Sequence, residues 1–221
     1  MDHPDWGYSS FSNDDDSSPN ERKAQYFELG KAFAEKAKTI EAIALLTEYL
    51  EQIDYVEDPD LLVIAAESAL DVLCIQGRFD EALALASLSM KKLEPWSNFH
   101  LGYLYKYRVS VLVRVGRFSE AIEDCKTAIA LFESDEQFEW SLPLRNQCGE
   151  ILFKTECFME ATKTVAPITF GQNKDCQIAV RGIALSISGK SEFEMGNLQG
   201  AIDLLQESIK ILKPLEHSEL G

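Results

Sequence analysis

The segment Gly77-Arg78-Phe79-Asp80-Glu81-Ala82 recurs 39 residues later in the chain as Gly116-Arg117-Phe118-Ser119-Glu120-Ala121. Related segments begin at Ala37, Glu156 and Gly196, and the alanine that all copies share stands at positions 42, 82, 121, 161 and 201. Apolar residues recur at helical spacing on both sides of each copy, which predicts two helices. The glycine permits a sharp bend, and the alanine lets the helices approach closely. One helix-turn-helix unit is therefore predicted five times.

The predicted helix pairs cover residues 21–54, 60–93, 99–133, 138–169 and 174–212. The fourth pair departs from the pattern, because Glu156 stands where other copies have a turn glycine. Its second helix contains Pro167, whose ring removes a backbone donor and clashes with the preceding turn. We therefore predict that this helix is short, broken or kinked.

The charge balance excludes two classes of partner. Of the 221 residues, 37 are Asp or Glu and only 21 are Lys or Arg, so the formal net charge is −16. Such a surface repels nucleic acid phosphates and anionic lipid headgroups, which bind to clustered Lys and Arg. The sequence has neither a signal-peptide layout nor an apolar run long enough to span a membrane. A cytoplasmic location is predicted, with the nucleus as the alternative, and neither nucleic acid binding nor membrane insertion is expected.

Residues 1–20 form a segment apart from the repeat domain, which we assign to residues 21–221. The segment contains five aspartates and no Lys or Arg, and a composition of this kind predicts disorder. It also carries Trp6, Tyr8 and Phe11 among its acidic residues. These aromatic residues are typical of a short interaction motif that docks on a partner or folds back onto the repeat domain. The alternative is an inert solubilising tail.

The repeated pattern resembles the tetratricopeptide repeat (TPR) family, whose helix-turn-helix unit is about 34 residues long. The matching positions are Gly30, Phe33 and Ala42 in the first copy; Gly77, Ala82 and Pro95 in the second; Leu112, Gly116, Ala121 and Ala128 in the third; and Gly189, Gly196, Ala201 and Pro214 in the last. The longer period here resembles the longer-repeat members of the family. The resemblance implies an all-α, right-handed superhelical solenoid of about five repeats. No capping helix is evident after Pro214.

The resemblance also implies a concave groove, lined by the first helix of each pair, that binds a peptide or helix of a partner. Counting back from each turn places ten residues there: Phe27, Lys31, Glu67, Asp71, Tyr103, Lys106, Asn146, Glu150, Ser186 and Lys190. One subfamily clamps the C-terminal carboxylate of a chaperone. Only Lys31 and Lys106 agree with that clamp, and Asp71 would repel a carboxylate, so chaperone-tail binding is disfavoured.

No pattern for catalysis, metal binding or cofactor binding stands out. The three histidines, His3, His100 and His217, lack the spacing of metal ligands, and no Cys-x-x-Cys pair occurs. Residues 184–191 match a permissive phosphate-loop pattern but lie in the middle of a predicted helix, where backbone donors cannot converge on a phosphate. The predicted function is that of a protein-interaction scaffold or adaptor, not of an enzyme. The alternatives are a peptide-sensing regulatory module, self-association through the uncapped C-terminal repeat, and a client-specific chaperone.

Overall fold

A computed structural model describes residues 39–52, 58–93, 97–171 and 177–216. The predicted tail at residues 1–20 and the first helix of the first pair lie outside these ranges. Within them the structure has nine helices: α1 Thr39–Gln52, α2 Pro59–Ile75, α3 Phe79–Leu93, α4 Asn98–Arg114, α5 Phe118–Ser134, α6 Phe138–Lys154, α7 Phe158–Thr169, α8 Ile178–Glu194 and α9 Leu198–Glu216. The predicted pairs are thus α2–α3, α4–α5, α6–α7 and α8–α9, and α1 is the second helix of the pair before them.

Proline occurs near three helix ends and inside one helix of the described ranges. Helix α2 begins at Pro59, which the first turn accepts because its backbone donors are unpaired. Helix α7 is the shortest described helix, with 12 residues, and ends two residues after Pro167, as the sequence predicts. Helix α9 continues through Pro214 to Glu216, past the predicted end at residue 212. Pro143 lies inside α6, a feature that the sequence analysis missed.

The turns share one backbone hydrogen-bond pattern. In each, the residue after the turn donates its N–H to the carbonyl five residues earlier, as Arg78 does to Leu73 and Cys157 to Leu152, both at 2.8 Å. This closure places the preceding residue in the left-handed region. Glycine occupies that position at 77, 116 and 196, whereas Glu136 and Glu156 adopt φ of 59° and 61°. The glycine assignment therefore holds in three turns, and glutamate adopts the same conformation in two.

We expect Glu156→Gly to raise the free energy of unfolding by about 0.5–1 kcal/mol, because relief of left-handed strain exceeds the added freedom of the unfolded chain. Urea denaturation followed by circular dichroism measures the change. The matched control is Glu123→Gly, in the interior of α5, which should lower the same free energy by about 1 kcal/mol. Equal destabilisation by both substitutions would contradict the strain at Glu156.

Small residues let the paired helices pack closely. The shared alanines Ala82, Ala121 and Ala161 are fully buried, and Ala201 is nearly so. In the second of the complete pairs, Gly102 of α4 faces the ring of Phe132 from α5, and a Cβ on this glycine would lie 3.2 Å from Phe132 Cε1. Phe132 is the largest of the fully buried side chains in the described ranges. The core thus runs continuously through the stack of pairs.

Two first helices, α4 and α6, each carry one arginine that contacts the second helices on both sides. Arg108 of α4 donates to both carboxylate oxygens of Asp124 in α5, at 2.6 Å each, and to Ser87 in α3 at 3.3 Å. Arg145 of α6 pairs in the same way with Glu133 of α5 and donates to the carbonyl of Thr164 in α7. These contacts fix the angle between consecutive pairs.

The first helices lie on the more tightly packed side of the stack. Helices α2 and α4 run close to each other, as do α6 and α8, whereas α3, α5, α7 and α9 approach one another less closely. A stack with one side shorter than the other curves, with the short side inward. Helices α4 and α6 are the exception, because their backbones stay further apart. This separation leaves room for large side chains on the inner side.

None of the helices in the described ranges is both long and apolar enough to cross a membrane.

Candidate functional site

The space between α4 and α6 holds a cluster of aromatic rings around one lysine. We call Phe99, Tyr103, Lys106, Tyr107 and Trp140 the aromatic-lysine cluster. Its three α4 rings are four residues apart in sequence and so share one face of the helix. The Trp140 ring of α6 meets them, with its centroid 5.1 Å from that of Tyr103 and 6.0 Å from that of Phe99. The cluster therefore joins two first helices whose backbones lie further apart than those of α2 and α4 or of α6 and α8.

The ammonium group of Lys106 lies among the rings of the cluster. Its Nζ atom is 4.7 Å from the ring centroid of Tyr103, 5.2 Å from that of Tyr107 and 5.1 Å from that of Trp140. Attraction between the cation and the ring faces stabilises this position. Burial lowers the pKa of Lys106, and nearby Glu67 opposes that shift. The site thus offers a half-buried cation framed by apolar surface.

Glu67 of α2 anchors the cluster from the neighbouring pair. Its carboxylate accepts a hydrogen bond from the hydroxyl of Tyr107. Burial raises the pKa of Tyr107, and this hydrogen bond raises it further, so the phenol stays protonated at neutral pH. Helices α2, α4 and α6 thus all contribute to one site on the inner side of the stack.

Two cavities follow one another along α6. The first, about 380 Å³, lies beside the cluster and is lined by Lys106, Glu139, Trp140, Pro143, Leu144, Gln147 and Gln177. The second, about 410 Å³, lies between α6 and α8 and is lined by Glu150, Phe153, Lys154, Ile183, Ser186, Ile187, Lys190 and Leu212. Gln147 and Glu150 are one helical turn apart, so the two cavities are adjacent. An elongated ligand lying along α6 would reach both.

The structure brings most of the described groove candidates together in two groups. Glu67, Tyr103 and Lys106 meet at the cluster, and Glu150, Ser186 and Lys190 line the second cavity. Two described candidates belong to neither group. Asp71 is exposed on α2, one turn beyond Glu67.

Asn146 is the other, with an exposed fraction of only 5 %. Its Nδ2 donates to the carbonyl of Val180 at 2.8 Å, so it links α6 to α8 instead of presenting its amide on the surface. The groove candidates Phe27 and Lys31 and the tail residues Trp6, Tyr8 and Phe11 lie outside the described ranges.

Several site residues were missed by counting back from the turns. The missed members of the cluster are Phe99, Tyr107 and Trp140, and Phe153 and Lys154 line the second cavity. The spacing of Phe99, Tyr103 and Tyr107 was a usable pattern, since three aromatic residues four apart must share a helix face. Nothing in the sequence pointed to Trp140, because its place follows from the separation between α4 and α6.

The phosphate-loop match at residues 184–191 lies within α8. The backbone N–H groups of a helix interior are bonded to carbonyls one turn earlier, so they cannot cradle a phosphate. Ser188 and Ser191 of the motif are buried, and Lys190 lines the second cavity. The segment is therefore part of the stack and of the groove wall, and it has no nucleotide-binding geometry.

Comparisons by sequence find no related protein. No family model matches the chain, and none of the curated proteins matches it.

Comparisons by structure give a consistent result. A Podosopora anserina protein with nearly identical TPR-like repeats has a TM-score of 0.63 at 15% identity, over 90% of this chain and 99% of that one. YrrB, described as a TPR protein with an unusual peptide-binding site, gives 0.60 at 18% identity, over 88% of this chain and 91% of that one. The TPR-sensor signal transduction ATPase of Pyrococcus horikoshii gives 0.69 at 14% identity, over 92% of this chain and 32% of that one. The chain thus has the fold that the resemblance implied: an all-α, right-handed superhelical solenoid of tetratricopeptide-like repeats.

Proposed function

We propose that this protein is an interaction scaffold or adaptor that binds a peptide or helical segment of a partner protein along the inner side of α6. The observation that carries the proposal is the aromatic-lysine cluster, a half-buried group of rings and one cation beside two adjacent cavities. Half-buried aromatic residues at the centre of a concave surface are the usual energetic anchors of protein interfaces. The structural similarity to YrrB, a protein described as having a peptide-binding site, supports the same function.

The chemistry of the two cavities indicates what kind of segment would fit. The first cavity sets the ring of Trp140 and the cation of Lys106 side by side, which suits an apolar side chain next to a carboxylate or carbonyl oxygen. The second cavity contains Glu150, Lys154 and Lys190 around apolar walls, so it suits side chains of either charge. The segment would therefore carry one apolar anchor followed, about one helical turn further, by charged residues.

A peptide-sensing regulatory module is the second candidate. It is favoured by the structural match to the TPR sensor of the Pyrococcus horikoshii ATPase, of which this chain spans about a third. In such a module, the same groove would bind a peptide that acts as a signal, and binding would control the activity of a partner domain. The two candidates therefore share the groove and differ only in what binding controls.

We expect Trp140→Ala to weaken binding of a groove peptide by about thirtyfold or more, because the substitution removes the central anchor. Peptides selected from a random display library against the full chain would supply the ligand, and calorimetry would give its dissociation constant. The matched control is Phe170→Ala, which removes an exposed ring at the end of α7, away from both cavities, and should leave the constant unchanged.

A second variant separates the charge from the packing. Lys106→Met keeps the apolar stem and removes the cation, so it should weaken binding only of peptides that have a carboxylate beside the anchor. Circular dichroism would establish that both variants keep their helical content. Failure to select any peptide, or equal affinity of the wild type and Trp140→Ala, would contradict the proposed function.

A further inference from the structure

The last described helix carries an apolar stripe that nothing in the described chain covers. Leu198, Ile202 and Ile209 of α9 are 57%, 49% and 61% exposed, and their spacing of four and seven residues places them along one face. The neighbouring face packs on α8, where Leu205 and Leu212 meet the two glycines Gly189 and Gly182. The stripe therefore flanks the buried side of α9.

The position equivalent to Ile209 is buried in the second helix of each other complete pair. The residue eight positions after the shared alanine is Met90 in α3, Ile129 in α5 and Thr169 in α7, each no more than 6% exposed, but it is Ile209 in α9. In the earlier pairs the following pair covers this position. Helix α9 thus exposes at Ile209 a position that the other second helices bury, and a helix would fit there.

The charges around the stripe favour a second copy of the same helix. Asp203 lies in the first half of α9, Glu207 lies at its middle and pairs with Arg181 of α8, and Lys210, Lys213 and Glu216 lie in its second half. The formal charges of α9 sum to −1, whereas the chain as a whole carries −16. Two copies of α9 in antiparallel orientation would place Asp203 of each beside the lysines of the other, whereas parallel copies would place Asp203 beside Asp203 and lysine beside lysine.

We propose that two copies of this chain associate through α9, antiparallel and related by a two-fold axis. Ile202 of each copy packs near Ile209 of the other, and Asp203 of each lies near Lys210 of the other. Such an interface is self-complementary and closes after two copies, so it gives a dimer and no filament. The apolar stripe is separate from the aromatic-lysine cluster on α4 and α6, and α9 reaches the second cavity only through Leu212.

Sedimentation equilibrium of the full chain at several concentrations tests this dimer. The wild type should be dimeric, and Ile209→Glu should raise the dimer dissociation constant by about tenfold or more, because it buries an unpaired carboxylate. Residue 209 is exposed, so the fold should tolerate the change. The matched control is Ile75→Glu, at an isoleucine that is 82% exposed at the end of α2, and it should leave the dimer intact.

Charge reversal tests the antiparallel arrangement. Asp203→Lys and Lys210→Asp should each weaken the dimer, and the double variant should restore it to wild-type strength. A wild type that stays monomeric at every concentration would overturn the proposal, and so would a dimer that Ile209→Glu leaves unchanged. A double variant weaker than either single variant would overturn the antiparallel pairing.

Discussion

Replacing Phe132 with alanine is expected to lower the free energy of unfolding by about 3–5 kcal/mol, the largest loss that we expect for a core residue. The ring is fully buried and fills the notch left by Gly102. Its centroid is 5.9 Å from that of Phe99 and 6.4 Å from that of Trp140, so the ring packs against two members of the aromatic-lysine cluster. Alanine would leave a cavity that helices α4 and α5 can only partly close. Urea denaturation followed by circular dichroism measures the loss.

The control for this variant is Phe170→Ala, which deletes the same ring from an exposed position. It should change the unfolding free energy by no more than about 0.5 kcal/mol. A loss below about 1 kcal/mol in Phe132→Ala would mean that the core relaxes around the missing ring, and that the packing of α4 on α5 is looser than the structure shows.

Replacing Asp124 with alanine is expected to cost about 2–4 kcal/mol, because it leaves Arg108 half-buried without its carboxylate. The pair is bidentate, with both N···O distances at 2.6 Å, and the Asp124 side chain is only 7% exposed. Arg108 is 24% exposed, so water recovers part of the loss, and the estimate lies below that for a fully buried pair. Chemical denaturation again gives the value.

Two comparisons separate this effect from general damage. The exposed pair of Arg117 and Glu120 has similar geometry, and Glu120→Ala should leave the free energy of unfolding nearly unchanged, because water screens the pair. Arg108→Met combined with Asp124→Leu should stay within about 1 kcal/mol of the wild type, since neither charge remains buried. A double variant as unstable as Asp124→Ala would show that these side chains act through packing instead of through the ion pair.

The fold was predictable because each pair repeats the same local requirements. A turn glycine, an alanine at the close contact and apolar residues at helical spacing specify each unit, and the copies reinforce one another. Glu156 shows why the fourth unit survives without its glycine. Its turn closes with the same hydrogen bond as the other four, and the packing of α6 on α7 compensates for the left-handed conformation of the glutamate. The helix start at Pro59 was less predictable, because proline is tolerated in the first turn, and the continuation of α9 past Pro214 has no counterpart in the sequence pattern.

The candidate site was only partly predictable, because it depends on distances between pairs. The sequence places Tyr103 and Lys106 on the inner face of α4, but it says nothing about how far α4 stands from α6. That distance allows Trp140 to reach the lysine. For Asn146, counting along the helix gives the direction in which the side chain points but does not show that it is buried. Its bond to Val180 arises from the close approach of α6 and α8.

The turn at Glu136 changes what counts as one unit of this chain. It connects two pairs, yet it has the same hydrogen bond as the turns inside the pairs, with Gln137 donating to Phe132 at 2.8 Å. The left-handed residues at 116, 136 and 156 are therefore evenly spaced, 20 residues apart. From α4 to α7 the chain repeats one helix at a time, although its sequence repeats two at a time. A duplication or deletion that begins and ends at turns of this form would rejoin the chain through a turn that it already has. An array of this type can therefore change its number of helices without a new loop.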